Sequence, residues 1–230
     1  MRNLVIPCAG QSSRYTTDLP KWLLTLPNGN LMVYESIQGL PLDTFDLIII
    51  TALKRHLNDE LRDKICEQFM EYENFLLLEL EDDTQSASDT ISTTIESLNL
   101  QGSLFIKDAD DYFKVNEVNE NEVCTISLND CKNITPGNKS YIKKNDNGEV
   151  LTIVEKNVIS SDFCCGLYTF DSCEEFVKTY KSINQESEIY ISHVIFQMLL
   201  NGKTFKNRNA TDFIDWGTQE DFDNFIKKYE

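Results

Sequence analysis

The chain has 230 residues, of which 38 are acidic and 21 basic, for a net charge of −17. That length suits one large domain or two small ones with a well-buried core. The acidity excludes a nucleic-acid binder, which needs a cationic footprint, and disfavours adhesion to an anionic membrane. No apolar run approaches the ~18 residues of a membrane span. The apolar stretch of MRNLVIPCAG is too short for a signal peptide, so the expectation is a cytoplasmic protein with no membrane insertion. Seven cysteines, Cys8, Cys66, Cys124, Cys131, Cys164, Cys165 and Cys173, include no CxxC pair and no zinc spacing, which points to reduced thiols. Neither His56 nor His193 lies in a nucleophile motif, so thiol catalysis is not expected.

In chain order, residues 3–7 read as a buried strand and 31–39 as a short helix. The unbroken apolar run at 46–51 reads as a second buried strand. Leu57, Leu61, Ile65 and Phe69 then recur at i, i+4 spacing, the stripe of an amphipathic helix. A strand is expected at 75–80. A helix should start near Ser86–Ser88 with serines for capping, and a strand at 103–110 should run into acids. Alternation of this kind predicts an α/β domain with a mostly parallel sheet. The second half predicts a strand at 124–128, a polar loop at 129–139, and a hairpin turning at Asp146-Asn147-Gly148. Beyond it come a strand at 162–170, helices in SCEEFVKTYKS and EIYISHVIFQMLL, and a terminal helix in QEDFDNFIKKYE. No repeat or long linker appears, so one domain with an inserted hairpin lobe is expected.

Four segments hold residues suited to chemistry. The loop at 8–14 follows the first strand, at the sheet edge where α/β proteins bind ligands. Its small residues would let backbone N–H groups approach phosphate oxygens. Arg14 could fork onto a phosphate, and Lys21 could act as a point charge on a second. A capped turn with two surface cations is the alternative. In LFIKDADDYF, Asp108, Asp110 and Asp111 crowd at a strand end, a repulsion that a hard cation such as Mg²⁺ relieves. A solvated acidic turn is the alternative there. Asp215 precedes Trp216-Gly217-Thr218, and Thr218 is the better helix cap, which leaves Asp215 unassigned. Glu155 and Lys156 form an adjacent pair at the end of the hairpin.

Together these segments read AGQSSRY (9–15), PKWL (20–23), KDADDYF (107–113), EKN (155–157), GLYTF (166–170) and DWGT (215–218). The set resembles the nucleotidyltransferases that make activated sugars and related nucleotide conjugates. Those proteins open with an AGxGSRF-like loop and PKxL. An acid-bearing strand end, an EK pair, a GxYxF strand and a DxGT box follow. The likeness spans residues 3–226 and is nearest the small members associated with bacterial capsule and surface-glycan loci.

The resemblance implies a single Rossmann-like α/β domain (1–230) with a mixed, mostly parallel sheet flanked by helices, of the nucleotide-diphospho-sugar transferase or GT-A-like type. Its nucleotide-binding half would be about 1–115 and its acceptor-binding half about 116–230. It implies an enzyme that joins an NTP, CTP or UTP first, to a small phosphorylated acceptor and releases pyrophosphate. Arg14 would engage the leaving pyrophosphate and Lys21 the attacked α-phosphate. Ala9, Gly10, Gln11, Ser12 and Ser13 would cradle the nucleotide, and Gln85 and Ser86 would read its base. Asp110 and Asp215 would bind Mg²⁺, while Glu155, Lys156, Gly166 and Tyr168 would face the acceptor. The chain departs from the pattern at Ser12 (a glycine in the family), Asn157 (a proline) and Trp216 (an aliphatic residue). Two other readings stay open: a glycosyltransferase using Asp108-Ala109-Asp110 as a DxD motif, and a non-catalytic nucleotide-binding regulator. Whether copies associate is also open, because the stripe of the terminal helix suits either core or a homo-oligomer contact.

Overall fold

The computed structural model describes residues 1–10, 19–131, 134–184 and 186–228. The first half alternates strand and helix as its periodicity requires. β1 (Arg2–Cys8), β2 (Leu47–Leu53), β3 (Phe75–Leu80) and β4 (Ser103–Lys107) pair in parallel in the order β3-β2-β1-β4. Their alternate side chains feed two cores. Leu4, Ile6, Ile48 and Ile50 pack on one face with Ile65 and Phe69 of α2 (Asp59–Phe69). Val5, Ile49 and Ile106 pack on the other with Ile91 and Ile95 of α3 (Ala87–Leu98).

Helix ends follow local chemistry. Asn58 accepts the Leu61 N–H at 2.8 Å to start α2, and Ser86 accepts the Asp89 N–H at 3.1 Å to start α3. A short helix, α1 (Met32–Ile37), buries Met32, Val33 and Ile37.

The expected strand at 103–110 stops at Lys107. The chain turns through Asp108–Asp110 and re-enters a short strand, β5 (Asp111–Lys114). β6 (Glu122–Ser127) follows, then the hairpin of β7 (Tyr141–Lys144) and β8 (Val150–Val154). Its turn closes with Gly148 N–H on the Asn145 carbonyl at 3.0 Å. β9 (Asp162–Phe170) lies antiparallel between β4 and β6. β7 also pairs with β9, so the hairpin extends the main sheet and is not a separate lobe.

After β9 come α4 (Cys173–Ser182), α5 (Ile191–Leu200), β10 (Lys206–Asn209), β11 (Thr211–Asp215) and α6 (Gln219–Ile226). The nine-stranded sheet runs β10-β6-β9-β4-β1-β2-β3 with the hairpin off β9, and β11 pairs with β5 in a second sheet. In the seven-strand path only β9 runs against the rest. The result is the mixed, mostly parallel sheet expected.

β10 carries no apolar alternation, because edge pairing holds it and not burial of one face. α5 begins three residues later than the apolar run from Glu188 suggests. Thr218 caps α6 by accepting the Asp221 N–H at 3.2 Å. The stripe of α6 is core: Phe225 is buried with Trp216, Leu26 and Met32, and Phe222 and Ile226 pack against them. It therefore gives no support to a contact between copies. Among the described residues no helix is long and apolar enough to cross a membrane.

β5 lies close against the end of α1. A Cβ added at Gly39 would sit 1.8 Å from the Phe113 carbonyl oxygen, and Val115 N–H donates to the Gly39 carbonyl at 3.0 Å. Gly39→Ala is expected to cost about 2–3 kcal/mol of stability by urea unfolding, because backbone must move to admit the methyl group. Gly137→Ala, in open space, should leave the midpoint unchanged.

Candidate active site

β1 and β4 end side by side, and a cavity of about 500 Å³ opens at that carboxyl edge. Ligands of open α/β sheets lie there, and the volume suits a nucleotide-sized molecule. Gly10 and Lys21 line it from the first half, Asp108 and Asp110 from the end of β4, and Glu155 and Lys156 from the end of β8.

Two of the acids at the end of β4, Asp110 and Asp111, are met by lysines. Lys107 is fully buried and donates to the Asp111 carboxylate at 2.5 Å, to the Asp108 carbonyl at 2.6 Å and to the Asp111 carbonyl at 3.1 Å. Its ammonium also lies 4.9 Å from the centre of the Phe113 ring. Lys21 pairs with Asp110, and Lys139 pairs with Asp215 at 2.5 Å. β11 brings Asp215 to this place, since Asp215 is in register with Asp111 of β5. Trp216 N–H donates to the Asp110 carbonyl at 2.8 Å, and Gly217 N–H donates to Asp215 Oδ1 at 2.9 Å. Oxygens of Asp108, Asp110 and Asp111 lie within 4.8 Å of one another. A hard-oxygen set of this kind, with Asp215 beside it, fits Mg²⁺ chemistry.

Crowding shows in the proton affinities. Enclosure by protein, with Asp110 adjacent, pushes the Asp108 carboxyl up to about 6. Burial pushes Asp111 up to about 8, even with Lys107 against it. Burial opposes the charge on Lys139, yet Asp215 and the acids behind it hold its ammonium above the ordinary lysine value. Burial also drives the thiols of Cys8 and Cys164 upward, so the two cysteines on the cavity wall are protonated and not nucleophilic.

Gly166 makes the packing of these acids feasible. Its φ is +94°, in the region that favours glycine, at a register shift where β9 changes alignment on β6. A Cβ there would lie 2.3 Å from Asp111 Oδ2. The Gly166 carbonyl also accepts the Asp108 N–H at 2.8 Å.

The far wall is built by the hairpin and α5. Glu155 accepts from the Ser140 hydroxyl, and from the Ser192 hydroxyl at 2.6 Å. Lys156 has a left-handed backbone, φ +54°, which turns it away from the line of β8. Its ammonium meets the Tyr190 hydroxyl at 2.5 Å and lies 4.2 Å from the centre of that ring, while Tyr190 donates to Glu188 at 2.5 Å.

Gly10, Lys21, Asp110, Glu155, Lys156, Gly166 and Tyr168 thus share one cavity. Ala9 is fully buried behind it. Gln85 is exposed and donates its N–H to Asp89, and Ser86 caps α3, so neither lies on the wall; Ala87 does. Asp215 stands behind Gly217. Gln11, Ser12, Ser13 and Arg14 lie outside the described residues.

Sequence reasoning missed Lys107, Lys139, Ser140, Glu188, Tyr190 and Ser192. Lys107 had a signal, since a lysine inside an apolar strand must be paired once buried. Lys139 had none, because it looked like one polar residue of a loop.

This is the fold of the sugar-nucleotide nucleotidyltransferases. The nucleoside-diphosphate-sugar pyrophosphorylase from Vibrio cholerae RC9 superposes with a TM-score of 0.81 at 20% identity, over 97% of this chain and 99% of that one. The inositol-1-phosphate CTP transferase from T. maritima gives 0.78 at 15%, over 100% and 97%. The CTP:phosphocholine cytidylyltransferase from Streptococcus pneumoniae gives 0.72 at 16%, over 100% and 99%. No family model matches the sequence, and no curated protein matches it by sequence.

The raised proton affinity of Asp108 has a defined sign. A carboxyl that binds its proton more tightly when folded stabilises the fold at low pH, and that contribution is lost as pH rises through about 6. Asp108→Asn should therefore raise Tm relative to the unsubstituted protein by more at about pH 7.5 than at about pH 5. An equal shift at both pH values would contradict the assignment.

Proposed function

We propose that this protein is a Mg²⁺-dependent nucleotidyltransferase. It transfers NMP from an NTP, with CTP and UTP the leading candidates, to a sugar 1-phosphate or another small phosphorylated acceptor, releasing pyrophosphate. A cytoplasmic role in capsule or surface-glycan biosynthesis accords with the small-member resemblance. One observation carries the reading: Lys21, Asp110 and Lys156, from three distant segments, converge on one cavity at the carboxyl edge of the sheet.

The chemistry follows from charge. An acceptor phosphate is anionic at neutral pH, so its oxygen attacks the α-phosphorus without a strong general base. The new P–O bond forms as the bond to the β-phosphate breaks, and pyrophosphate departs. Lys21 neutralises the charge that grows on the α-phosphoryl group. Lys156 holds the acceptor phosphate, and Glu155, fixed by two serine hydroxyls, faces the rest of the acceptor. Mg²⁺ held by Asp110 and Asp215, with Asp108 adjacent, supplies charge neutralisation and a template for the triphosphate. Arg14, outside the described residues, takes its pyrophosphate role from the resemblance alone.

The deciding experiment incubates the protein with each of the four common NTPs, Mg²⁺ and a panel of phosphorylated acceptors, and follows pyrophosphate. Release of pyrophosphate is expected. Release of NDP from a nucleotide sugar would favour a glycosyltransferase, and NTP binding without turnover a regulator. In the active pair, Asp110→Asn should lower kcat by roughly 10²-fold or more, about 3 kcal/mol of transition-state stabilisation. Lys21→Ala should lower kcat more than it raises KM; a pure KM effect would mean ground-state binding only.

A further inference from the structure

The two aspartates assigned to the metal are both capped by lysines from other segments, Lys21 on Asp110 and Lys139 on Asp215. Lys139 belongs to no motif. Its side chain is 16% exposed and that of Asp215 10%, so the pair is shielded, with Lys139 on the cavity wall and Asp215 behind it. Asp215 Oδ1 accepts the Gly217 N–H at 2.9 Å and Oδ2 is met by Lys139 at 2.5 Å, so both oxygens are engaged before a cation arrives.

The surroundings of Lys139 tie it to the acceptor wall. Its carbonyl accepts the Lys156 N–H at 3.0 Å, and the next residue, Ser140, donates to Glu155. Its ammonium lies 5.4 Å from the centre of the Phe213 ring. An ammonium displaced from Asp215 would stay in this shielded place and would need a new anion there.

Resting on the nucleotidyltransferase reading above, we propose that Lys139 is a latch on the metal carboxylate. It occupies Asp215 before the divalent cation arrives. Once the cation takes that oxygen, the released ammonium becomes a second phosphate ligand on the acceptor side, next to Lys156. The acid cluster is thereby balanced in the empty site, and cation binding and phosphate binding are coupled through one side chain.

The test uses the full chain and Mn²⁺ as the probe, read by electron paramagnetic resonance without nucleotide. Lys139→Met removes the competitor and should tighten Mn²⁺ binding about tenfold. The gain should vanish against Asp215→Asn, so that the double variant binds Mn²⁺ like Asp215→Asn alone. With Mn²⁺ saturating, Lys139→Met should bind inorganic phosphate about tenfold more weakly by calorimetry. If that variant does not fold, Lys139→Gln gives the same comparisons with a neutral hydrogen-bonding side chain. Mn²⁺ bound equally, or more weakly, by the folded variant overturns the latch alone. Absence of Mn²⁺ binding by variant and unsubstituted protein alike overturns the metal assignment and the latch with it.

Discussion

Crowding of like charge at the end of β4 is the constraint on which the site depends. Asp108, Asp110 and Asp111 bring their oxygens within 4.8 Å of one another at the edge of a buried sheet. Carboxylates that close, in poor solvent, repel strongly unless they are protonated or paired. The fold answers with cations delivered from separate places. Lys107 comes from β4 itself, Lys21 from the turn beyond the first loop, and Lys139 from the segment before the hairpin. Lys107 reaches Asp111 four residues on, but Lys21 and Lys139 come from segments far in sequence from Asp110 and Asp215. The arrangement therefore exists only when the sheet is assembled.

That dependence explains several features that are otherwise unrelated. β5 and β11 form a separate two-stranded sheet, and their pairing sets Asp215 beside Asp111. Gly166 interrupts the regular alignment of β9 because the Asp111 carboxylate fills the space of its missing Cβ. Phe225, Trp216, Leu26 and Met32 form a third core whose only location is under this corner, so the last helix braces the DWGT segment that carries Asp215.

Much of this was legible in the sequence, and the limits have physical reasons. β1, β2, β3 and β9 were read within a residue or two, because strands of a sheet packed on both faces carry near-continuous apolar runs. β10, with sequence KNRN, was invisible since an edge pairing leaves no hydrophobic pattern. The site residues with motif partners, Lys21, Asp110, Glu155 and Lys156, do share one cavity. Lys139 escaped because a pairing with Asp215 across 76 positions leaves no trace in local spacing. Gln85 and Ser86, placed at the base by motif position, lie off the cavity wall, where Ser86 caps a helix and Gln85 is exposed.

The proposed function on an acidic chain is then no paradox. Exposed charges more than about 8 Å apart are largely screened at physiological salt, so a net charge of −17 acts weakly on a ligand held in an enclosed site. What the ligand meets is local: Lys21, Lys139 and Lys156 on the cavity wall, and carboxylates already occupied by lysines. A phosphate that arrives alone would have to pull those lysines from their acids and leave the acids uncompensated. On the proposed function, a phosphate that arrives with a divalent cation would exchange partners, the cation taking the carboxylates and the lysines turning to phosphate. The same pairing that lets the fold bury its acids would, on that function, favour a metal-bound nucleotide over a bare one.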